Sequence, residues 1–535
     1  MFPGSIEPRV VVFTCNWSAY SALETAGSQR LAYPANVRPI RVMCLGRLHP
    51  GLILRAFELG ADGVLLLGCP PGECHYEFGN QRAEELFKET RAIAHLLGIE
   101  DERLKLDWVG AGEGEAFVQK VTEFCRLEVR SWKLEVGSHS VLQPPTSNLQ
   151  LPEIIKNTKA YYCLECGKCT SVCPISRREP AYSPRLTVER TIWGEGEELL
   201  TDVLLWSCLT CQQCSERCPS DVHYVEFIRN LRALARGVGE EGLCSHGEAI
   251  QTWMRMMASP ELKQNRLEWL DEDLKVSNDS DTVYFVGCLP YYDVLFNKIG
   301  AQGVEIVRSA VRVLNRLGIE PIVLENERCC GHDLLWEGDV ANFRKLAELN
   351  AAMLRETGAK RIVTTCPECA RTLKVDYPAY ASARLSPSVG DLGMEVMHIT
   401  ELLAQRLAEG KSRITPHASR IVTYHDPCRL GRHLGVYDAP RQVIEALGLE
   451  LVEMEHSGKN ALCCGTSCWT NCGAINKQIQ VDRLHEAQAT GAELLVTACA
   501  KCQIHFKCAL DDGRLGEKMG IEIRDLITLV DEALI

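Results

Sequence analysis

The sequence carries one pattern twice, as CLECGKCTSVCP at residues 163–174 and as CLTCQQCSERCP at residues 208–219. In each copy, three cysteines at three-residue intervals precede a fourth cysteine and a proline. The three closely spaced thiolates can hold three corners of a cubane iron–sulfur cluster, and the fourth cysteine ligates the other cluster in two-cluster proteins. The pattern therefore predicts two ligand sets. The first cubane set is Cys163, Cys166, Cys169 and Cys218, and the second cubane set is Cys208, Cys211, Cys214 and Cys173. A pair of zinc sites is the alternative, because C-x2-C is also zinc spacing, but the doubled run disfavours it.

The chain around this pattern has 535 residues, 27 cysteines and a formal net charge of −13, with 46% hydrophobic and 24% charged residues. Its length predicts about three to four domains. The negative charge argues against nucleic acid as the main partner, and no apolar run reaches the roughly 18 residues of a membrane span. The amino-terminal stretch MFPGSIEPRVVVFTC lacks the features of a secretory signal. We therefore expect a cytoplasmic protein whose thiols are reduced, catalytic or metal-bound.

Residues 1–132 alternate strand and helix patterns, which predicts a parallel sheet with helices on both faces. The predicted strands are Arg9–Phe13, Ile40–Met43, Gly63–Leu67 and Leu104–Val109. The predicted amphipathic helices include Pro50–Gly60 and Gln81–Gly98. Residues 133–152 are polar and contain prolines, as is typical of a linker. Residues 153–245 show weak strand signals around the eight cysteines, which predicts a mainly helical domain, and residues 246–280 are predicted as a helical linker.

Residues 281–535 contain an internal repeat, with copy one at 281–410 and copy two at 418–535. SAVRVLNRLGIEPIVLENERCCG (309–331) matches RQVIEALGLELVEMEHSGKNALCCG (441–465), and RIVTTCPEC (361–369) matches LLVTACAKC (494–502). Each copy alternates strands and helices, so we expect two similar α/β lobes that face one another. The predicted fold class is α/β: an N-terminal parallel α/β domain, a central mainly helical two-cluster ferredoxin-like domain, and C-terminal duplicated α/β lobes.

Each copy of the repeat carries five cysteines in the order C, CC, C-x2-C. In copy one they form set one, which is Cys288, Cys329, Cys330, Cys366 and Cys369. In copy two they form set two, which is Cys428, Cys463, Cys464, Cys499 and Cys502. Cys366 and Cys499 fall at the ends of predicted strands, where a parallel sheet gathers its functional groups. Five soft ligands exceed what tetrahedral zinc can use, and adjacent cysteines cannot reach one corner of a cubane without strain, so an unusual cluster shape is favoured. Buried thiols that pack as small hydrophobes are the alternative.

Four further cysteines lie in residues 1–132. Cys15, Cys44 and Cys69 end the first three predicted strands, and Cys74 follows in the loop GCPPGECHYEFGN (68–80). Cysteines at the carboxyl ends of neighbouring parallel strands meet in one crevice, and four thiolates suffice for a two-iron cluster. The spacing favours this two-iron set over ordinary core cysteines.

Other candidates carry weaker signals. Five cysteines stay unassigned: Cys125, Cys244, Cys468, Cys472 and Cys508. Cys468 and Cys472 have the i, i+4 spacing of a helical site, but spare thiols are the favoured interpretation. Five polar residues near the cysteine pairs either bind charged substrate ends and protonate thiolates or hold loops in place: His332, Asp333, His425, Asp426 and Arg429. No glycine-rich dinucleotide fingerprint follows a strand, so we expect no flavin or nicotinamide site in this chain.

These motifs resemble three known families. Residues 281–535 resemble the B subunit of heterodisulfide reductase, whose two CCG domains follow the same C, CC, C-x2-C order, and residues 153–245 resemble its two-cluster C subunit. FTCNWSAY, RVMCLGRLHP and GCPPGECHYEFGN resemble the delta subunit of methyl-viologen-reducing hydrogenase. That family commonly has CNWC, and Ser18 replaces its second cysteine here. The resemblance implies one [2Fe-2S] cluster on Cys15, Cys44, Cys69 and Cys74, two [4Fe-4S] cubane clusters, and a noncubane four-iron cluster on each of set one and set two.

The resemblance also implies a function. The chain would be the iron–sulfur subunit of a hetero-oligomeric, flavin-based electron-bifurcating complex, single or dimerised. Electrons would come from an FAD-containing subunit like heterodisulfide reductase A, which exchanges them with a hydrogenase or a formate dehydrogenase, and a disulfide would be reduced to two thiols between the noncubane clusters. CCG domains also occur in lactate-utilisation and glycerol-phosphate dehydrogenase subunits, so the substrate stays open. The alternative is a non-catalytic subunit that feeds another reductase, acting on methylenetetrahydrofolate, an aryl-CoA or a quinone.

Overall fold

A computed structural model describes residues 8–126, 150–382, 392–410, 420–512 and 519–534 of the chain. The chain divides into two compact units, which are Met1–Ser140 with His246–Arg266, and Val141–Ser245 with Leu267–Ile535. The predicted linker at 133–152 lies outside the described residues except for its last three positions. The α/β class and the parallel sheets predicted from the sequence are confirmed.

The first unit is built on a four-stranded parallel sheet in the order β2-β1-β3-β4, with strands β1 (Val10–Cys15), β2 (Val37–Val42), β3 (Gly63–Gly68) and β4 (Leu104–Trp108). All four strands coincide with predicted ones, although β2 begins three residues earlier than predicted. Its sequence VRPIRV is largely exposed. An edge strand tolerates such polar residues and a proline, and this is why hydrophobic pattern alone missed its beginning.

Four helices cover this sheet: α1 (Ala19–Ser28), α2 (Pro50–Glu58), α3 (Gly79–Leu96) and α4 (Gly114–Phe124). The connection from β1 to β2 runs in the opposite direction to those from β2 to β3 and from β3 to β4. Because parallel crossovers are right-handed, this reversal places α1 on one face of the sheet and α2 and α3 on the other. In agreement, α1 packs against α4, and α2 packs against α3. The reversal point at the carboxyl ends of β1 and β3 is where open α/β sheets form their sites.

The cysteine-rich part of the second unit is mainly helical, as predicted. Its helices are α5 (Leu151–Asn157), α6 (Lys168–Val172), α7 (Pro184–Ile192), α8 (Gly196–Leu200) and α9 (Tyr224–Gly237). Helix α9 buries Phe227, Ile228 and Leu231 in a core that also contains Ile154 and Tyr182. The following helix, α10 (Ala249–Met256), belongs to the first unit and packs against α2, where Arg255 forms an ion pair with Glu58 at 2.6 Å.

Copy one and copy two of the repeat fold alike. Copy one contains β5 (Thr282–Phe285), α11 (Leu289–Leu295), α12 (Gly303–Arg316), α13 (His332–Trp336), α14 (Val340–Glu356), β6 (Arg361–Thr364), α15 (Pro367–Arg371), α16 (Tyr377–Ser382), β7 (Glu395–His398) and α17 (Ile399–Ala408). Copy two contains β8 (Ile421–His425), α18 (Asp438–Ala446), β9 (Glu450–Leu451), α19 (Ala474–Ala489), β10 (Leu494–Thr497), α20 (Ala500–Asp511), β11 (Glu522–Asp525) and α21 (Leu526–Ala533).

The strand orders show the internal symmetry. Copy two forms a parallel sheet β9-β8-β10-β11, and copy one forms β5-β6-β7 with Ile322 bridged to Val283 at the position that β9 occupies in copy two. Helix α12 packs against α21, and α18 packs against α17. Because α12 corresponds to α18 and α17 to α21, each lobe offers the same two helices to the other, as at a twofold interface. Duplication therefore produces two lobes with equivalent contact faces.

Candidate metal centres

The two-iron set lies in the crevice at the carboxyl ends of the sheet of the first unit. The Sγ atoms of Cys15 and Cys69 are 3.3 Å apart. Burial raises the pKa of Cys44, and the nearby thiolates of Cys74 and Cys15 add to this rise. Contact with Cys69 lowers the pKa of Cys15 to about 6 against the effect of burial. Four thiols that converge in this way fit a two-iron cluster, whose cations would compensate their charge.

Ser18 stands where the hydrogenase delta family commonly has a cysteine. Its hydroxyl group is buried and donates a hydrogen bond to the carbonyl oxygen of Val109. Its backbone N–H donates to the Cys15 thiol, as do those of Trp17 and Ala19, at the beginning of α1. The residue therefore supports Cys15 through its backbone, while its side chain contacts a loop.

Gly79 closes the two-iron set from the beginning of α3. A Cβ atom at this position would lie 2.5 Å from the Sγ atom of Cys44 and 3.0 Å from that of Cys74. We therefore expect Gly79→Ala to displace both thiols. The variant should lose about two irons per chain and keep the iron bound outside the two-iron set. Iron analysis and the [2Fe-2S] spectrum measure this loss. Gly27→Ala in α1 is the control, because nothing lies within 4 Å of its Cβ position. Full two-iron occupancy in Gly79→Ala would contradict this packing.

The structure brings the cysteines of the two ferredoxin-like runs together across the sequence. Burial raises the pKa of Cys163, and the nearby thiolates of Cys218 and Cys166 add to this rise. In the same way, burial and the nearby thiolates of Cys163 and Cys166 raise the pKa of Cys169. Cys166 is exposed, so this first cubane set lies at the protein surface. Both runs thus contribute to one cluster of thiols.

The second cubane set is buried. Its four thiols line one cavity together with Tyr182 and Tyr224: Cys173, Cys208, Cys211 and Cys214. Burial raises the pKa of Cys173 to about 12, and the Cys211 and Cys208 thiolates add to this rise. Uncompensated thiolates are unfavourable in this cavity, and iron cations are the compensation that such a donor set fits.

Arg232 of α9 fixes the backbone around this cavity. Its guanidinium is fully buried and donates to the carbonyl oxygens of Cys208 at 2.8 Å and Trp206 at 3.1 Å. It also donates to Leu205 at 3.2 Å and to Trp336 in copy one at 3.1 Å. The same side chain therefore connects the second cubane set with the first lobe.

Set one forms a continuous series of thiol contacts. Cys329 contacts Cys288 and Cys330, Cys330 also contacts Cys369, and Cys369 contacts Cys366. All except Cys366 are buried. Five thiols gathered from the ends of β5 and β6 and from the CC pair exceed a tetrahedral site, and this fits a larger iron–sulfur cluster better than zinc.

Set two repeats this series and extends it. Cys463 contacts Cys428 and Cys464, Cys464 contacts Cys502, and Cys502 contacts Cys499. In addition, Cys463 contacts Cys211 of the second cubane set. The thiols that could hold a cubane and those of the cysteine-rich lobe are therefore in direct contact within one unit.

The glycine after each CC pair is required by the backbone. Gly331 has φ +84° and Gly465 has φ +89°, both in the left-handed region that favours glycine. A Cβ atom would lie 2.7 Å from Cδ2 of Phe343 in the first case and 2.7 Å from the carbonyl oxygen of Asn476 in the second. The CCG pattern thus reflects a tight turn that directs two adjacent thiols into one site.

A buried group of charges lies between set one and set two. Lys501 Nζ is 2.6 Å from Oδ1 of Asp333 and 3.0 Å from Oε2 of Glu368. Glu368 and Lys501 occupy the same position of the two C-x2-C motifs, CPEC and CAKC, so the internal symmetry brings opposite charges together. Burial raises the pKa of Glu368 to about 8, against the effect of Lys501. Spacing analysis missed both residues, since only the pairing of the two motifs reveals them.

A cavity opens beside these charges. Its lining includes four thiols of set two and three charged side chains: Cys428, Cys464, Cys499, Cys502, Glu368, Arg429 and Lys501. Arg429 donates to the Thr210 carbonyl oxygen at 2.8 Å and to His332 Nε2 at 3.0 Å, and its guanidinium lies over the Trp336 ring. Burial, followed by Arg429 and Lys501, lowers the pKa of His332, so the ring is neutral. The cavity is thus enclosed by thiols and fixed charges.

The other predicted polar residues have structural partners. Asp426 accepts from Arg441 at 2.8 and 3.0 Å and from the backbone of Gly458 at 2.8 Å, and so holds a loop. Asp333 is part of the buried charge group. His425 lies at Cys464, where His505, which the sequence analysis did not identify, also lies.

The unassigned cysteines lie in separate environments. Cys125 follows α4, Cys244 contacts the carbonyl oxygen of Gly242, and Cys468 is fully buried beside Ser467. Cys508 lies 2.8 Å from Lys477 Nζ, and Cys472 lies near both. The stretch from Cys468 to Cys472 is not helical, so i, i+4 spacing does not bring these two thiols together. All 27 cysteines are free thiols.

Three known families match parts of the chain. The family described as methyl-viologen-reducing hydrogenase, delta subunit, matches residues 10–129. The 4Fe-4S dicluster domain matches residues 159–222, and the cysteine-rich CCG domain matches residues 282–374 and 422–507. Fold, thiol sets and matches together define the class: an iron–sulfur oxidoreductase with a dicluster part and two cysteine-rich lobes.

Individual relatives narrow this class. The D subunit of the dihydromethanophenazine:CoB–CoM heterodisulfide reductase of Methanosarcina barkeri is 33% identical over 408 residues, which cover 70% of this chain and 93% of that protein. The chain belongs to the family of this heterodisulfide reductase D subunit, and the resemblance predicted from the motifs is confirmed. The B subunit of the fumarate reductase (CoM/CoB) of Methanothermobacter marburgensis is 28% identical over 71% of this chain and 74% of its own. The EtfAB:quinone oxidoreductase of Syntrophomonas wolfei is 27% identical over 64% of this chain and 54% of its own. Among the described helices, none is both long and apolar enough to cross a bilayer.

Proposed function

We propose that this chain is the iron–sulfur subunit of a heterodisulfide-reductase-like complex and that it reduces a disulfide to two thiols in the cavity beside set one and set two. The contact between Cys211 and Cys463 carries this proposal, because it joins the electron-relay thiols of the ferredoxin-like part to those of the terminal site. A chain that only stored iron–sulfur clusters would not require this junction.

We assign five clusters to the thiol sets. The two-iron set holds one [2Fe-2S] cluster, the two cubane sets hold two [4Fe-4S] cubanes, and set one and set two each hold one noncubane four-iron cluster. The proposed domains are residues 1–132, 153–245 and 281–535, with linkers at 133–152 and 246–280. The helical part of the second linker is α10, which packs on the first unit. Bound there, the clusters supply one-electron transfer and, in set one and set two, sites for sulfur. We assign no flavin or nicotinamide to the chain, so a partner supplies the flavin.

The side chains around the cavity orient the substrate and limit water. Lys501 and Arg429 are almost fully buried, and both are held by hydrogen-bond or ion-pair partners, so their charges are positioned in advance of substrate binding. The charges of Lys501 and Asp333 compensate one another, and Glu368, whose pKa burial raises to about 8, lies 3.0 Å from the same ammonium. Apolar side chains such as Leu209 line another part of the wall. The thiols of set two therefore face a sheltered space.

We place the partners at the first unit. Exposed apolar side chains surround the two-iron set, with exposed fractions of 44% for Trp17, 54% for Met43 and 50% for Phe78. Large exposed apolar residues beside a redox site are typical of a docking surface. An FAD-containing subunit like heterodisulfide reductase A, together with a hydrogenase or formate dehydrogenase, is the proposed partner of this hetero-oligomeric, electron-bifurcating complex. The complex is proposed to be cytoplasmic.

A second candidate function is electron transfer to another reductase. The relatives named as the B subunit of a fumarate reductase and as an EtfAB:quinone oxidoreductase favour it, since the same cysteine-rich lobes occur in proteins with other acceptors. In this case set one and set two only conduct electrons, and no residue of the chain takes part in reducing a disulfide.

The two functions are separated by an assay with a one-electron donor. Chain purified without oxygen is mixed with reduced viologen and a thiol-derived disulfide, and thiols and oxidised viologen are counted. We expect two thiols for every two viologens oxidised, because each disulfide takes two electrons and two protons. Reduction of a quinone or another acceptor, with no thiol formed from any disulfide offered, would support the second candidate. Stoichiometric flavin on the purified chain would contradict the proposed division between subunits.

A further inference from the structure

Two histidines contact one thiol of set two. The Nδ1 atom of His505 lies 3.3 Å from the Sγ atom of Cys464, and the side chain of His425 also hydrogen bonds Cys464. Ligand atoms of His425, Cys464 and Cys502 all lie within 4.8 Å of one another. Both imidazoles are buried, with exposed fractions of 1% for His425 and 3% for His505. Cys464 is therefore a thiol of set two that two buried imidazoles contact.

The partners of the two rings fix their protons. Nε of Arg483 donates to Nδ1 of His425 at 3.2 Å, so this nitrogen is an acceptor, and Nε2 carries the proton and is the nitrogen that can donate to Cys464. Among the described residues, Nε2 of His505 is buried without a hydrogen-bond partner. A proton on that atom would leave a buried donor unpaired, so the proton lies on Nδ1, which faces the sulfur. Both rings thus donate an N–H group to Cys464.

Set one has no imidazole at the equivalent positions. His425 precedes Cys428 by three residues, and Phe285 precedes Cys288 by the same interval. His505 follows Cys502 by three residues, and Thr372 follows Cys369 in the same way. The Thr372 hydroxyl contacts His332 Nδ1 at 2.9 Å. The repeat therefore provides an internal comparison in which the thiol geometry is shared and the two imidazoles are not.

Nearby charges reinforce the difference between the sets. Arg432 lies within range of the charges of Cys428 and Cys463, and it donates to the Cys211 carbonyl oxygen at 2.6 Å. In copy one, the fully buried carboxylate of Glu327 accepts from the Gly287 backbone at 2.7 Å, next to Cys288. N–H donors and positive charge stabilise the more negative, reduced state of an iron–sulfur centre, and negative charge does the opposite.

We propose that His425 and His505 are positioning residues that hold the centre on set two at a higher reduction potential than the centre on set one. This inference rests on the proposed function, in which both sets carry clusters. Electrons that leave the second cubane set through the contact between Cys211 and Cys463 then stop first on set two. Set one is reduced after it, so the two electrons needed for one disulfide are held in a defined order.

The test exchanges the residues of the two copies. In a Cys330→Ala background, which leaves the set-two centre as the remaining CCG centre, His425→Phe and His505→Thr give set two the residues of set one. Redox titration followed by electron paramagnetic resonance measures the midpoint potential. We expect the reduced-to-oxidised ratio at the original midpoint to fall about tenfold or more, which corresponds to about 59 mV for a one-electron couple. When His505→Gln replaces His505→Thr in the same variant, an N–H donor is kept. The midpoint potential should then return most of the way to its original value.

The reverse exchange covers the case in which the first variant does not load its cluster. Phe285→His with Thr372→His in a Cys464→Ala background should raise the midpoint of the set-one centre. An unchanged midpoint with full iron content, in either direction of exchange, would overturn the inference. A parent that lacks any four-iron signal from set two would instead overturn the proposed function, so the two failures are distinguishable.

Discussion

Cys330→Ala and Cys464→Ala should each lower thiol formation from a disulfide by more than about 100-fold, since loss of outer hydrogen-bond partners alone weakens metal sites by about 10–100-fold. Each of these cysteines is the middle member of its series. Cys330 contacts Cys329 and Cys369, and Cys464 contacts Cys463 and Cys502. Removal of either thiol breaks the contact between the CC pair and the C-x2-C pair. The measurement is the rate of thiol release with reduced viologen as donor.

Cys125→Ala is the matched control for this prediction. It removes a thiol that lies at the end of α4, in the first unit and outside every proposed set. It should retain both activity and iron. Disulfide turnover that persisted in both Cys330→Ala and Cys464→Ala, with turnover also normal in the control, would remove the enzymatic role from set one and set two and leave electron conduction.

Lys501→Met should lower the stability of the second unit by about 3–5 kcal/mol, the usual cost of breaking a buried ion pair on one side. The variant leaves the Asp333 carboxylate without the ammonium that lies 2.6 Å from it, and it also removes the partner 3.0 Å from Glu368, whose own pKa burial raises to about 8. Methionine keeps the length of the side chain, so the effect reports charge more than volume. The measurement is the anaerobic thermal unfolding midpoint of the iron-loaded chain, which should fall by roughly 10 °C.

The control neutralises the whole charge group. Lys501→Met combined with Asp333→Asn and Glu368→Gln replaces the ammonium and both carboxyl groups with neutral groups of similar shape. Because the cost in the single variant arises from uncompensated charge, the triple variant should recover most of the lost stability. Equal instability of the two variants would show that Lys501 acts by packing, for example against the Trp469 ring over which its Nζ lies at 5.0 Å.

Residues that recur at fixed spacing were predictable from the sequence. The four strands of the first unit, the two similar lobes and the carboxyl-end location of Cys15, Cys366 and Cys499 follow from hydrophobic alternation and from repeated words. These features are local, because a strand or a C-x2-C turn is specified within about ten residues. The internal repeat also predicted correctly that two similar α/β lobes would form.

Contacts between distant segments were not predictable in the same way. The contact of Cys211 with Cys463, the pairing of Glu368 with Lys501 and the approach of His505 to Cys464 each depend on how two elements pack. A buried lysine or histidine gives no spacing signal, since its partner lies tens or hundreds of residues away. One clue was available: Glu368 and Lys501 occupy equivalent positions with opposite charge, which a symmetric arrangement of the two lobes brings together.

Whether set one and set two carry clusters is decided by the amounts of iron and acid-labile sulfide bound per chain. On chain purified without oxygen, with zinc counted alongside, the five assigned clusters predict about 18 irons and about 18 sulfides, with little zinc. A value near 18 would agree with four-iron centres on both lobes. About 10 irons, from a preparation with its cubanes and two-iron cluster intact, would contradict the account, because the cysteine-rich lobes would then be empty.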